Sequence, residues 1–223
     1  MIPSRMGTGF RAKAVVFDKD GVLADSEAIN IRSAFEVFRA HGYDLGPDDE
    51  PEIVGKHPID YVPLLARKFR IAEADQRRMI NEQDVIYNRF WREEGRMVSG
   101  AREALDAVRR LDLRVGLATS SSRREVDAFL DRFSLAPCFD VTLSLDDVTR
   151  PKPDPEIYLL AAQELGVTPR EMLVIEDSEH GVRAAKAAGA TCVAVRTAQV
   201  RPERISMADA HIDSLDELTA LLD

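Results

Sequence analysis

Residues 15–21 of the chain, Val-Val-Phe-Asp-Lys-Asp-Gly, decide the fold because they join a run of apolar residues to two carboxylates. A short β-branched and aromatic run predicts a buried strand, and Gly21 predicts the point where it breaks. Residues i and i+2 of a strand share a face, so Asp18 and Asp20 are expected side by side at its carboxyl end. Two carboxylates at such a short distance repel each other, which costs free energy unless a cation or a shared proton compensates their charge. The stretch therefore indicates a site of chemistry, although Asp beside Gly is also typical of a solvated turn.

Three later segments favour the chemical interpretation, because each puts a phosphate-binding or metal-binding residue type at a strand end or before a helix. The predicted strand 115–118 runs into Thr119-Ser120-Ser121-Ser122, and the predicted strand 172–175 runs into Glu176-Asp177-Ser178. Between them, Arg150-Pro151-Lys152-Pro153-Asp154-Pro155 precedes a predicted helix. Four motifs in this order are far more specific than any one of them alone.

Together the four segments resemble the haloacid dehalogenase-like phosphatase superfamily, whose ordered motifs are a nucleophilic D-x-D, a Ser/Thr, a Lys and an acidic pair. The resemblance extends from about residue 13 onward. It implies an α/β fold, with a Rossmann-like parallel sheet that has helices on both faces, and an all-helical C1-type cap inserted after the first strand. The alternation of strand and helix signals independently indicates such a sheet.

The resemblance implies catalytic roles for Asp18, Asp20, Thr119 and Lys152. Asp18 would be the nucleophile that forms an aspartyl-phosphate, which splits one hard displacement into two easier ones. Asp20 would protonate the leaving alkoxide and then, once deprotonated, activate the hydrolytic water. Lys152 would bring a point charge against Asp18 and the phosphoryl oxygens. The alternatives are a solvent-exposed loop lysine for Lys152 and an ordinary strand-end hydroxyl for Thr119.

Mg²⁺ is the expected cofactor, because the dianion of a phosphate monoester repels the Asp18 carboxylate unless that charge is neutralised. Mg²⁺ is a hard ion that accepts one or two carboxylates together with substrate oxygens. Asp18 and Asp177 would supply carboxylates, and Glu176 would act directly or through water. The resemblance implies a further metal ligand in the main-chain carbonyl of Asp20.

The hydroxyl run 119–122 is expected to form an anion-binding turn. Ser120 leads into a predicted helix, so backbone amides there would point toward a substrate anion at the helix N-terminus. Ser120 is therefore a candidate substrate-binding residue, whereas Ser121 and Ser122 are expected to be helix caps. Ser122 and Glu125 have the spacing of a capping box.

The residue at position 20 separates branches of the superfamily. Dehalogenases and phosphonate-cleaving relatives have a non-acidic residue two positions after the nucleophile, because they need no leaving-group protonation. Asp20 argues against both activities. The chain is therefore expected to hydrolyse the phosphomonoester of a small metabolite, such as a sugar phosphate or a phosphoglycolate-like compound.

Two alternatives stay open. β-Phosphoglucomutase-like isomerases carry a His twelve residues after the nucleophile and an Arg shortly after the cap glycine. Here those positions are Asn30 and Pro58 if Gly55 is the cap glycine, so phosphatase activity is favoured over mutase activity. The other alternative is a non-catalytic binding protein of the same fold, which would be expected to have lost an essential group.

The domain organisation follows from the same signals. The catalytic core is expected to comprise residues 10–24 and 98–223, and the helical cap residues 25–97. Ligands of open α/β sheets bind at the carboxyl ends of the strands, so a module inserted there is expected to act as a lid. Besides the first strand, the core strands are predicted at residues 113–118, 141–143, 172–175 and 191–195.

The cap is predicted to be a small helical bundle. Ile31, Phe35 and Phe38 are expected to share the buried face of its first helix. Further helices are predicted at residues 59–69 and 73–94.

A loop of the cap is the expected specificity segment. Gly55-Lys56-His57 could reach down to a substrate anion, which makes Lys56 and His57 candidate substrate-binding residues. The alternatives are a glycine that ends a helix and two solvated basic side chains.

Composition limits the partners and the location. The formal net charge of −9 argues against a nucleic-acid footprint, which needs a basic face. No stretch approaches the ~20 apolar residues of a membrane span, and residues 1–13 lack the apolar centre of a secretory signal. We expect a cytoplasmic protein, either a monomer or a small homo-oligomer, whose partner is a small phosphorylated metabolite. Met1 and Met6 are both candidate starts of the native chain.

Overall fold

The chain forms two compact units in a computed structural model that describes residues 12–54, 56–197 and 200–222. The core unit contains the chain up to Ala24 and from Met97 onward. The inserted unit contains Asp25–Arg96. That the inserted unit acts as a cap stays a prediction.

The core unit is built on a parallel sheet. In the described residues the strands are β1 (Ala14–Phe17), β2 (Ala24–Asp25), β3 (Arg96–Met97), β4 (Arg114–Ala118), β5 (Val141–Leu143), β6 (Met172–Glu176), β7 (Thr191–Val195) and β8 (Ala210–Ile212). Within this part of the chain, six of them form one sheet in the order β5-β4-β1-β6-β7-β8, and β2 pairs with β3. Every pairing in the large sheet is parallel.

Helices cover both faces of this sheet. The described helices are α1 (Glu27–Ala40), α2 (Glu50–Ile53), α3 (Pro58–Phe69), α4 (Glu73–Glu94), α5 (Ala101–Arg110), α6 (Arg123–Phe133), α7 (Glu156–Glu164), α8 (Glu179–Ala188) and α9 (Leu218–Leu222). Val16 of β1 packs in one cluster with side chains of α7 and α8. Val15 and Phe17 point to the opposite face and are also fully buried. A strand buried on both faces requires the continuous apolar run seen in the sequence.

The predicted core strands are confirmed to within one residue at each end. Val16 of β1 lies beside Gly116 of β4 and Val174 of β6, so the first strand occupies the middle of the sheet. The edge strand β8 was not predicted from the sequence. Its three residues, with half-buried His211 at the centre, are too short and too polar to show a strand pattern.

The inserted unit consists of helices α1 to α4, and the predicted helices 59–69 and 73–94 are confirmed as α3 and α4. The predicted face of α1 is confirmed, because Phe38 is fully buried in the apolar cluster of this unit and half-buried Ile31 and Phe35 pack against that cluster. The hydrophobic pattern did not predict that Ser33 is also fully buried. Among the helices of the described residues, none is both long enough and apolar enough to cross a bilayer.

Candidate active site

The predicted site residues of the core unit meet where three neighbouring strands end. Asp18 follows β1, and its N–H donates to the Ile175 carbonyl at 2.9 Å. Thr119 follows β4, and its N–H donates to the Leu143 carbonyl at 3.1 Å. Glu176 is the last residue of β6. Because β4, β1 and β6 are adjacent and parallel, their carboxyl ends form the edge where α/β sheets bind ligands.

Lys152 ties these three strand ends together. Its Nζ donates to Asp18 Oδ1 at 2.7 Å, to Glu176 Oε1 at 2.7 Å and to the Ala118 carbonyl at 2.9 Å. An ammonium has three protons, so these contacts use all of them. The side chain is only 4% exposed. The alternative of a solvated loop lysine is therefore wrong.

Glu176 is fully buried and accepts hydrogen bonds at both oxygens. Besides Lys152, Oε1 accepts from the Tyr158 hydroxyl at 2.7 Å. Oε2 accepts from the Ser178 hydroxyl at 3.0 Å and from the N–H groups of residues 177 and 178. A Cβ on Gly181 would lie 1.7 Å from Oε1, so only glycine lets α8 start against this carboxylate. Tyr158 had no sequence signal, because a tyrosine on an apolar helix face is usually a packing residue.

The site concentrates negative charge. Carboxylate oxygens of Asp18, Glu176 and Asp177 lie within 4.8 Å of one another. Burial, against the opposing charge of Lys152 and with the added repulsion of Glu176 and Asp20, raises the pKa of Asp18 to about 7. Burial, followed by Glu176, Asp18 and Asp20, raises the pKa of Asp177 well above its usual value. Despite its burial, contact with Lys152 holds the pKa of Glu176 below the ordinary value.

This donor set suits a hard divalent cation. The clustered groups are all carboxylate oxygens, which are the ligands that Mg²⁺ and Ca²⁺ prefer. A bound cation would also favour the ionised forms of Asp18 and Asp177, whose protonation is promoted by burial and mutual repulsion. The Asp20 side chain does not belong to this cluster of the described residues, and a metal ligand in its main-chain carbonyl stays a prediction.

The Asp20 side chain is held by two other residues. Lys19 Nζ donates to Asp20 Oδ1 at 2.9 Å, and the Ser121 hydroxyl donates to Oδ2 at 2.6 Å. The Asp20 side chain is 38% exposed, whereas that of Lys19 is 1% exposed. Sequence analysis assigned no role to Lys19, since a lysine after a strand is normally solvated.

Gly21 gives the turn after Asp20 its shape. Its φ is +78°, a conformation that L side chains rarely adopt. A Cβ at this position would lie 1.9 Å from Asp177 Oδ2. The glycine therefore lets the backbone of the first motif pass directly against the carboxylate of the last one.

Of the two helix caps predicted in the hydroxyl run after β4, one is confirmed and the other is wrong. Ser122 caps α6 and forms the predicted capping box with Glu125. Ser121 is not a cap, because its hydroxyl reaches Asp20 while its N–H donates to Thr119 Oγ1 at 3.0 Å. Thr119 is buried at the strand end. Ser120 is half-buried beside it, and its role in substrate binding stays a prediction.

Lys56 and His57 have partners within the inserted unit. Lys56 Nζ donates to Glu52 Oε2 at 2.9 Å, and His57 Nδ1 accepts from the Ile59 N–H at 3.3 Å as the N-cap of α3. These contacts agree with the structural alternatives for both residues, and a role in substrate binding stays a prediction. Gly55 lies outside the described residues.

A neutral polar network underlies the same segment. Asn30 Nδ2 donates to the Lys56 carbonyl at 3.3 Å, and Asn30 Oδ1 accepts from Gln83 Nε2 at 3.2 Å. Gln83 Nε2 also contacts the hydroxyls of Ser33, at 3.2 Å, and Tyr61. Gln83, Ser33 and Tyr61 are almost completely buried. We call Asn30, Ser33, Tyr61 and Gln83 the amide network; its members are uncharged and carry no motif that sequence analysis could detect.

Comparison with known proteins identifies relatives over most of the chain. Residues 12–189 match the model of the haloacid dehalogenase-like hydrolases. A phosphorylated carbohydrates phosphatase of Thermotoga maritima is 36% identical over 79% of this chain and 82% of that protein. Hexitol phosphatase B of Escherichia coli K12 is 33% identical over 96% of this chain and 98% of that protein. The structure of CbbY from Rhodobacter sphaeroides in complex with phosphate superposes with a TM-score of 0.79 at 29% identity, covering 93% of this chain and 96% of that one.

Proposed function

Because the chain belongs to the haloacid dehalogenase-like hydrolases, we propose that it is a Mg²⁺-dependent phosphatase of a small phosphorylated metabolite, acting through an aspartyl-phosphate on Asp18. One observation carries the proposal: Lys152 donates to both Asp18 and Glu176 at 2.7 Å in a buried site. An ammonium held there offsets the charge of a carboxylate that must approach a dianionic ester.

In the proposed first step, the Asp18 carboxylate attacks phosphorus in line, so that a new P–O bond forms while the ester P–O bond breaks. Asp20 gives its proton to the leaving alkoxide. In the second step Asp20 takes a proton from water, whose oxygen attacks the phosphorus of the aspartyl-phosphate and releases inorganic phosphate and free Asp18. One residue thus serves as general acid and then as general base.

The cation has a supporting part in this proposal. Asp18, Asp177 and the Asp20 main-chain carbonyl would hold Mg²⁺, with Glu176 acting directly or through water. When bound, Mg²⁺ supplies positive charge that lets a dianionic ester approach a carboxylate. Lys152 would place its positive charge near the phosphoryl oxygens, and the Thr119 hydroxyl would bind one of them.

The substrate class is supported by the relatives. One relative is named for phosphorylated carbohydrates and another for hexitol phosphates. We propose that the substrate is a sugar phosphate or a hexitol phosphate. A phosphoglycolate-like compound, which is a smaller molecule, is the other candidate substrate. Ser120, Lys56 and His57 are the proposed substrate-binding residues outside the catalytic set. A cytoplasmic location stays a prediction.

A direct assay separates phosphatase from mutase activity. The protein is incubated with β-glucose 1-phosphate, Mg²⁺ and a trace of the 1,6-bisphosphate, and glucose 6-phosphate and free phosphate are measured together. A parallel screen covers sugar, hexitol and glycolate phosphates. We expect phosphate release from the best substrate and little glucose 6-phosphate, because Asn30 and Pro58 stand where the mutases carry His and Arg.

Two controls accompany the assay. Asp18→Asn keeps the volume of the nucleophile but removes its function, so a folded variant should release no phosphate. Chelation should abolish activity, Mg²⁺ should restore it, and Ca²⁺ should restore it poorly because of its looser coordination. Rapid isomerisation with little phosphate release would replace the phosphatase by the mutase, and phosphate release by pure Asp18→Asn would contradict the assignment of the nucleophile.

A further inference from the structure

Lys19 stands between the two aspartates of the first motif, and its burial is unusual. Lysine is almost never fully buried unless it is paired, because burying an ammonium costs much free energy. The Lys19 side chain is 1% exposed, and its Nζ lies 2.9 Å from Asp20 Oδ1. A buried charge is thus directed at one oxygen of the proposed acid and base.

The second oxygen of that carboxylate is held from another strand. The Ser121 hydroxyl donates to Asp20 Oδ2 at 2.6 Å. Ser121 is itself 5% exposed, and its N–H is fixed on Thr119 Oγ1. Each oxygen of the Asp20 carboxylate therefore accepts a hydrogen bond, Oδ1 from a residue in the turn after β1 and Oδ2 from a residue in the turn after β4.

Lys152 does not hold the Asp20 carboxylate. Its three protons are directed to Asp18, Glu176 and the Ala118 carbonyl. The site thus carries two buried ammonium groups, Lys152 beside Asp18 and Lys19 beside Asp20. A carboxylate has about four lone-pair positions, so Asp20 can accept from both Lys19 and Ser121, and 38% of its side chain is exposed.

We propose that Lys19 and Ser121 are positioning residues that hold the Asp20 carboxylate in the orientation needed for proton transfer. The inference rests on the proposed function, in which Asp20 serves as acid and base. Proton transfer requires a fixed approach within hydrogen-bond distance. A residue that only supports the fold would affect all substrates alike, whereas loss of Asp20 positioning should weigh most on esters whose leaving group needs a proton.

The test compares two substrates of different leaving-group quality. Lys19→Met and Ser121→Ala are assayed with Mg²⁺ on the best alkyl phosphate of the screen and on p-nitrophenyl phosphate. We expect kcat on the alkyl ester to fall about tenfold more than kcat on the aryl ester, with KM nearly unchanged. Lys19→Arg should recover part of the alkyl activity, because it restores a cation.

Lys13→Met is the matched control. Lys13 lies just before the same strand and pairs with Glu171 on the surface, with its side chain 64% exposed. The same substitution there should leave the alkyl-to-aryl ratio unchanged. Thermal unfolding of each variant is recorded, and if Lys19→Met does not fold, Ser121→Ala decides the outcome by the same ratio.

A double-mutant cycle completes the test. In an Asp20→Asn background, Lys19→Met should not change the alkyl-to-aryl ratio further, because the group it positions no longer transfers a proton. The Asn carbonyl can still accept from Lys19, so this background should fold. Equal losses on both substrates, or a further change in the ratio without Asp20, would overturn the inference.

The two proposals fail in different ways. If the wild-type protein releases no phosphate from any ester, the proposed function fails. If the wild-type protein is active and Asp20→Asn is selective for the leaving group while Lys19→Met and Ser121→Ala are not, only the positioning role fails.

Discussion

The core unit and the inserted unit bury polar groups of different kinds. At the strand ends of the core, four of the buried polar groups are charged: Asp18, Lys19, Lys152 and Glu176. The buried polar groups of the inserted unit are mostly neutral, such as Ser33, Gln83 and Asn88, with Asp49 as a charged exception. Burying charge costs far more than burying a neutral amide. The difference therefore separates a site built for chemistry from a network built to hold a segment in place.

The strongest test of this difference removes one lysine from each unit. Lys152→Met leaves Asp18 and Glu176 without their shared buried cation. Loss of one partner of a buried pair costs about 3–5 kcal/mol of unfolding free energy, and turnover should fall at least about 10²-fold. Urea unfolding followed by circular dichroism, together with phosphate release, measures both effects.

Lys68→Met is the counterpart in the inserted unit. Lys68 pairs with Asp49 but is 54% exposed, so solvent screens the pair. The expected loss is about 1 kcal/mol or less. Fluorescence of Trp91, the single tryptophan of the chain, reports unfolding of the inserted unit. Equal losses in the two lysine variants would remove the distinction between the units.

Two glycines with the same backbone conformation, one in each unit, provide a second test of the difference between the units. Gly21 and Gly42 have φ values of +78° and +81°. A Cβ on Gly21 would strike the Asp177 carboxylate, whereas a Cβ on Gly42 meets nothing within 4 Å. Gly21→Ala should lower turnover about 10²-fold, because a displacement of 1 Å at a catalytic site can have that effect.

Gly42→Ala should lower the free energy of unfolding by about 1–2 kcal/mol, because of backbone strain alone, and should leave turnover unchanged. Phosphate release and urea unfolding of both variants decide the point. Normal turnover in Gly21→Ala would show that the site tolerates displacement of Asp177.

The amide network predicts a smaller effect in the inserted unit. Gln83→Met removes the donor to Asn30 and leaves buried polar atoms without a partner, which costs about 1–3 kcal/mol. If Lys56 binds substrate, KM for the sugar phosphate should rise while kcat stays near the wild-type value, because Asn30 also holds the Lys56 carbonyl. The measurements are Trp91 fluorescence during urea unfolding and steady-state kinetics.

Gln76 supplies the matched control on the same helix. Its Nε2 donates to the Ile71 carbonyl at 2.9 Å, and it belongs to no part of the amide network. Gln76→Met should lower stability by about 1 kcal/mol or less and leave KM unchanged. Similar KM changes in both variants would argue against a specific role for Gln83.

The smallest expected effect concerns acid stability. Burial would raise the pKa of Asp49, but hydrogen bonds from the Gly46 N–H and Lys68 hold it below the ordinary value. Ionised Asp49 therefore stabilises the fold above its unfolded pKa of about 3.9, and this contribution is lost as pH falls through the lower folded value. The stability difference between wild type and Asp49→Asn should shrink over that range, as followed by Trp91 fluorescence. A difference independent of pH would contradict the assignment.

The same contrast explains how far the sequence could predict the molecule. Charged groups at strand ends are conspicuous, because Asp18, Lys152 and Glu176 stand beside apolar runs, proline or a second acid. Their motifs predicted the sheet, and the structure brings these three residues together at one edge of it. Lys19 and Tyr158 were missed, since a lysine beside an aspartate and a tyrosine in a helix have common structural explanations.

Contacts between neutral polar side chains were harder to predict from the sequence. Ser33 occupies the packed stripe of α1 because it meets Gln83, which lies 50 residues later in the chain. Only the folded chain brings these two side chains together, so helical periodicity predicted the apolar residues of that stripe but not Ser33. For the same reason the hydroxyl of Ser121 was assigned to a cap, although its partner Asp20 lies 101 residues earlier.

The three contacts of Lys152 also determine when the chain becomes competent during its synthesis. Asp18 leaves the ribosome 134 residues before Lys152, and Glu176 follows 24 residues after it. A nascent chain that ends before Lys152 carries Asp18 without this cation, and one that ends before Glu176 lacks one of the three acceptors. The three contacts of Lys152 can therefore form together only after residue 176 has been synthesised.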